Sequence, residues 1–139
     1  MTLKQILLMV GCVAVAAAQA GPGAILTNLD TAKWGHDKGD PPGSESVLLR
    51  DDPQTQGMEL LVRFPAGHAI APHWHESNER IIVLEGQLTL RQETGETSLQ
   101  AGGFAFLPAH EIQRLSCSSK TRCTFYLSWD GKPNSHPSK

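Results

Sequence analysis

The sequence predicts an all-β domain, two sheets packed as a sandwich or barrel. Three observations predict it. After residue 20 no segment carries the sustained 3.6-residue periodicity of an amphipathic helix. Short apolar or alternating runs recur about every 8 to 12 residues, separated by Gly, Pro, Asn and Asp. Residues 58–64 alternate strictly, with Met58, Leu60, Val62 and Phe64 on one face and Glu59, Leu61 and Arg63 on the other, which is the pattern of a half-buried strand.

Residues 1–20 read as an address, not as part of the fold. Lys4 precedes the apolar run Ile6–Ala18, which is short for a membrane span, and Ala18-Gln19-Ala20 is a small-x-small cleavage site. The expectation is a secretory signal peptide and a protein that is secreted or periplasmic, with residues 21–139 as a single domain whose barrel core runs from about 45 to 130. The formal net charge of −2 gives no electrostatic case for nucleic acid or for an anionic membrane surface. Cys12 leaves with the signal peptide. Cys117 and Cys123 flank the polar loop 118–122 and suggest a hairpin whose ends a disulfide could clamp; a free buried thiol pair is the alternative.

Taken in order, residues 21–25 are a lead-in, and Leu26–Trp34 could be a short strand or a helical turn. The segment 35–46, with Gly39, Pro41, Pro42 and Gly43, is a loop, and His36 is an exposed loop histidine. Val47-Leu48-Leu49 is a strand, residues 51–57 turn, and Met58–Phe64 is the strand already noted. His68 has the opposite parity to His73 and is expected on the rim or surface. Arg80–Leu84 is β-branched and apolar on both faces, so both need cover, the outer one from a sheet or a subunit. Gln87–Arg91 and Thr97–Gln100 make a hairpin around Glu93–Glu96, with Leu88 and Leu90 inward. Phe104–Leu107 is expected as a buried strand ended by Pro108, and Ile112–Cys117 and Cys123–Trp129 as the last two strands. Asp130–Lys139 reads as a polar, frayed tail, so His136 is not expected to be a ligand.

The chemistry concentrates in Gly67–Gly86, GHAIAPHWHESNERIIVLEG. His73 and His75, one residue apart, share a face in a strand, and Trp74 between them faces away. Ser77-Asn78 allows a bend, after which Glu79 can fold back toward the histidines. Two imidazoles and a carboxylate suit a divalent transition metal: Fe, Mn, Ni, Cu or Zn.

Gly67, His73, His75, Glu79 and Gly86 fit every spacing of the first cupin motif, and Pro72 and Leu84-Glu85-Gly86 add its usual flanks. The stretch thus resembles the cupin superfamily. That resemblance implies a double-sheet jelly-roll barrel with the metal at its centre. The second cupin motif is partial: Gly102 and Pro108 fit, His110 replaces a glycine, Gln113 occupies the fourth ligand position and Cys117 the final Asn. The expected metal set is His73, His75, Glu79 and Gln113. Gln113 is preferred to His110 as fourth ligand because the family places its ligand there, and Gln113 and His110 are the candidates for proton handling. Glu111 is expected on the surface.

Three functions compete at this point. One is a metal-dependent enzyme, of dioxygenase or isomerase type, acting on a small molecule. Another is a non-catalytic metal or small-ligand binding or sensor module. The last is a metal-free structural dimer module. A homodimer, formed through the outer face of Trp74, Ile82 and Leu84, is compatible with all three.

Overall fold

The computed structural model describes residues 23–139, so the expected signal peptide lies outside the described residues. Ten strands and no helix are found among them. They are β1 (Glu45–Asp51), β2 (Met58–Phe64), β3 (His73–His75), β4 (Glu79–Glu85), β5 (Gln87–Gln92), β6 (Gly95–Gln100), β7 (Phe104–Leu107), β8 (Gln113–Cys117), β9 (Cys123–Trp129) and β10 (Ser135–Pro137). They form two five-stranded sheets, β1-β2-β9-β4-β7 and β10-β3-β8-β5-β6, with every pairing antiparallel. This is the jelly-roll arrangement expected.

The core lies between the sheets. Val62 and Phe64 of β2, Ile81 and Val83 of β4, Leu88 and Leu90 of β5, and Phe125 and Leu127 of β9 are all buried, each on the alternate positions that a strand turns inward. Phe64 meets Phe125 edge to face at 5.1 Å. Removing rings of this size from water contributes about 1.5–3 kcal/mol each. The β5–β6 hairpin turns through Glu93 and Thr94. Gly86, the last glycine of the motif, has φ +78°, and a Cβ there would lie 2.7 Å from the Arg122 carbonyl oxygen, so no other residue fits.

The structure corrects several expectations. Cys117 and Cys123 are disulfide-bonded with Cα atoms 5.7 Å apart, but they do not close a hairpin. β8 and β9 belong to opposite sheets, so the bridge ties one layer to the other. The β7 strand is not buried: it is the edge of its sheet, with Phe104 58% and Phe106 47% exposed and Leu107 turned inward. On the outer face of β4, Ile82 pairs with Phe104 and is 38% exposed while Arg80 and Leu84 are half-buried, so no second sheet covers it and the subunit alternative stays open. A run apolar on both faces cannot by itself tell a covered strand from an uncovered one.

Leu26–Trp34 forms no regular element. It is pinned instead by the Arg63 guanidinium 4.3 Å above the Trp34 ring and by the Gly35–Ser46 bridge. The tail is not frayed, because β10 pairs with β3, Ser135 opposite His75 and Pro137 opposite His73. A three-residue edge strand containing proline has no periodicity to read and takes its conformation from its partner.

Candidate metal centre

The chain changes sheets between His75 and Glu79. β3 lies in one layer and β4 in the other, and the crossing is the short corner Glu76–Asn78. Asn78 fixes that corner. Its backbone and side-chain N–H groups donate to the Asp130 carboxylate at 3.2 and 2.9 Å, and its Oδ1 accepts from the Ala109 backbone at 3.0 Å. Asn78 and Asp130 are supporting residues that the sequence reading missed; a turn-favouring Asn was visible, but its partners were not.

The corner sets His73 and His75 across the interior from Glu79. His73 is directly opposite Gln113 in the β3–β8 pairing, so all four side chains line one cavity between the sheets. His75, Glu79 and Gln113 are buried, and His73 is half-buried. His75 Nε2 stands 3.8 Å from Glu79 Oε2, and Gln113 Nε2 donates to the same oxygen. His73 Nδ1 lies 2.9 Å from the Ala71 carbonyl oxygen, and the His73 and His75 rings are perpendicular at 5.0 Å.

Burial dominates the electrostatics. It pushes His75 down to about 4, aided by the neighbouring His73, and pushes the Glu79 carboxyl up to about 7 against the opposing hydrogen bond from Gln113. Both are therefore neutral between those values, a histidine and a carboxylic acid kept from ionising by the lack of solvent. Three buried atoms facing this region, His75 Nδ1, Gln113 Oε1 and Trp129 Nε1, have no hydrogen-bond partner among the described residues. Each such atom costs about 1–3 kcal/mol, which a bound polar group would offset.

The donor set fits a divalent transition metal in its chemistry. A carbonyl acceptor at His73 Nδ1 makes that nitrogen the N–H and leaves the Nε2 lone pair free, the tautomer a ligand needs. Two ligand bonds of about 2.1 Å to one ion span at most about 4.2 Å, and the His75–Glu79 separation of 3.8 Å lies within that. As placed, however, no three His, Cys, Asp or Glu side chains among the described residues stand close enough together to hold an ion. The set is a close His75–Glu79–Gln113 group with His73 beside it.

The remaining candidates separate cleanly. His110, at φ +67°, is exposed and does not line the cavity; its ring lies 5.1 Å from Trp74 on the outer side of β3. Trp74 faces away from the cavity and stacks on His136 at 4.2 Å, and His136 Nε2 lies 2.7 Å from Glu76 Oε1. His36 is exposed, with Nδ1 2.9 Å from the Ser44 carbonyl oxygen. His68 is half-buried and outside the cavity lining, with its ring edge to face with Phe64 at 4.6 Å, which keeps the rim half of the expectation. Glu111 is half-buried and accepts from Gln92. The cavity mouth was not foreseen. Asp37, Asp40 and Pro41 of the 35–46 loop line one side, and Pro133, Ser135 and Pro137 line the other.

Comparison with known proteins agrees with this architecture. The chain superposes on the polyketide cyclase RemF from Streptomyces resistomycificus with a TM-score of 0.70 and 19% identity, covering 84% of this chain and 86% of that one. The cupin domain of Schizosaccharomyces pombe Cnp3 gives a TM-score of 0.65 at 11% identity, over 75% and 72% of the two chains. A sugar phosphate isomerase of the cupin superfamily from Silicibacter pomeroyi gives 0.62 at 22% identity, over 78% and 76%. At these identities the likeness is one of fold. A search of curated protein sequences found no match. A family model for the ChrR Cupin-like domain matches residues 22–130, the greater part of the chain. With nine of the ten strands and the whole His73–Gln113 region inside that match, the chain belongs to the ChrR cupin-like family of the cupin superfamily.

Proposed function

We propose that this protein binds one divalent transition metal at the cavity floor through His73, His75 and Glu79, with Gln113 at the fourth position, and presents it to a small molecule. The observation that carries the reading is the meeting of these four side chains from opposite sheets at one cavity, with His75 and Glu79 buried 3.8 Å apart. When bound, the metal would supply Lewis-acid polarisation of a substrate oxygen. The chain's own residues do the rest. His73 is held in its tautomer by Ala71, Gln113 orients the Glu79 carboxyl, and largely apolar walls surround the group.

Whether the site turns over its ligand divides two readings. Chemistry of dioxygenase or isomerase type is supported by the open carboxylate–histidine set, and the structural neighbours include a cyclase and an isomerase. A non-catalytic binding or sensor module is favoured by Gln113, a neutral amide that is a weak proton carrier, and by His110 lying outside the cavity. We further propose export to an oxidising compartment, which the Cys117–Cys123 disulfide supports, and a homodimer; of the face expected for it, Ile82 is exposed with Phe104 and Phe106 beside it, whereas Leu84 is half-buried and Trp74 lies on the other sheet against His136.

The test is elemental analysis of untagged protein exported to a periplasm, with His75→Ala as control. About one equivalent of metal, absent from the variant, is expected of a site with three firm ligands. Metal retained in full by His75→Ala sinks the assignment.

A further inference from the structure

The cavity between the sheets has a volume of about 520 Å³, within the ~300–1,000 Å³ of small-molecule pockets. Its body is hydrocarbon: Met58, Leu60 and Val62 from β2, Ile81 from β4, and Leu127 from β9 form much of the wall. Its polar groups gather at two ends. At the floor, beside Glu79, lie the unpartnered Gln113 Oε1, His75 Nδ1 and Trp129 Nε1. At the mouth are Asp37 and Asp40, the latter accepting from Ser46 Oγ at 2.8 Å and from the Asp37 backbone N–H at 3.0 Å. Among the described residues lining the cavity, none is lysine or arginine.

These features select a ligand chemistry. A phosphate or a polycarboxylate would have to pass two carboxylates, shed its water and find no fixed cation from the protein inside. A sugar would lose the hydration of each hydroxyl against walls with nothing to replace it. A ring system with few polar atoms gains from burial along the whole wall. Two residues that line the cavity carry buried groups left without a partner, the Trp129 indole N–H, a donor, and the Gln113 amide oxygen, an acceptor, and a hydroxyl is the group that can answer both kinds.

We infer that the cavity takes a neutral aromatic or alicyclic small molecule whose hydroxyl end meets the Gln113–Trp129 floor, and that without metal it rejects phosphorylated and polyanionic ligands. The inference rests on reading this floor as the ligand-facing end of the proposed site, but it does not need the metal.

Calorimetric titration of EDTA-treated protein with 2-naphthol and with 2-naphthyl phosphate isolates the effect, since the two share a ring system and differ in charge. One-to-one binding of 2-naphthol is expected, at least about tenfold tighter than the phosphate, a difference of about 1.4 kcal/mol. Leu60→Trp, which fills the cavity, should abolish naphthol binding in a protein that still melts cooperatively. Met58→Lys places a cation in the wall at a half-buried strand end and should reduce or reverse the preference, so it carries the test if Leu60→Trp fails to fold. The inference is overturned by phosphate binding as tight as naphthol in the metal-free wild type, by absent naphthol binding, or by naphthol binding unchanged in folded Leu60→Trp protein. Metal content, measured separately, distinguishes the failures. Naphthol bound by a protein that takes up no metal sinks the metal reading alone. Metal uptake without naphthol binding sinks this one alone.

Discussion

The chain pairs a histidine with a glutamate twice around the same strand, and the two pairs behave in opposite ways. His75 and Glu79 lie inside the barrel, 3.8 Å apart, and burial holds the histidine at about 4 and the carboxyl at about 7. Glu76 and His136 lie outside, 2.7 Å apart and well exposed, and hydrogen bonds from Asn134 and then His136 hold the Glu76 carboxyl below its usual range. His75 and Glu76 are consecutive, so one step along β3 and into its corner separates the two regimes. The difference teaches that residue type does not make a site. Solvent satisfies the outer pair and leaves it a surface contact, whereas the inner pair is left with unmet bonding capacity that an ion or a polar ligand can take up.

The sharpest way to break this comparison is to remove one member of each pair. His75→Ala or Glu79→Ala should reduce metal affinity by at least the ~100-fold reached when groups that merely support a ligand are lost. Glu76→Ala should leave metal content at the wild-type level. Elemental analysis and a chelator competition read both, and equal losses from the two pairs would erase the distinction.

The next effect is in pH. Glu79 has a folded value of about 7 against 4.5, so the metal-free folded state holds the extra proton and loses stability as pH rises between those values. His75 has a folded value of about 4 against 6.5, so its contribution is present above 6.5 and is lost as pH falls toward 4. The two oppose one another between 4.5 and 6.5, where urea midpoints of the metal-free protein should be nearly flat. Metal binding must expel the Glu79 proton, so calorimetry at pH 6 in buffers of different ionisation enthalpy should register release of about one proton. Release should fade above about 7. A Glu79→Gln protein releasing as many protons as wild type would place that proton elsewhere.

A smaller loss belongs to Gln113. Its amide is a neutral donor, and Gln113→Ala should weaken metal binding about tenfold, short of the loss from a histidine or carboxylate. A loss as deep as that of His75→Ala would make it a full ligand. The smallest effect is outside: His136→Ala removes the ring stacked on Trp74, which should cost about 1 kcal/mol of stability and leave metal content unchanged. A calorimetric melt paired with metal analysis checks it.

What could be read from the sequence follows the same division. His73, His75 and Glu79 were legible because a contiguous motif with strand parity fixes their shared face, and Ile81 and Val83 followed from Glu79 by the same rule. Met58, Leu60, Val62 and Phe64 were legible as a wall by alternation. The mouth was not, because the 35–46 loop and the tail are polar, lack a period and acquire their place only by packing. Cys117 and Cys123 were legible as a pair, but five intervening residues can close a hairpin or cross between layers, and only the sheet order decides. Phe104 and Phe106 read as core because composition carries no record of which strand is the edge.

The pairing of β3 has a kinetic consequence. Its chain neighbours β2 and β4 both lie in the other sheet, and its partners are β8 and β10, far along the sequence. Loop-closure entropy must be overcome on both edges before the backbone carrying His73 and His75 is fixed. The β5–β6 hairpin, closed through Glu93 and Thr94, faces no such delay. Refolding should therefore order the hairpin early and the histidine strand late, so a chain caught midway has its barrel begun and its metal-binding histidines still adrift.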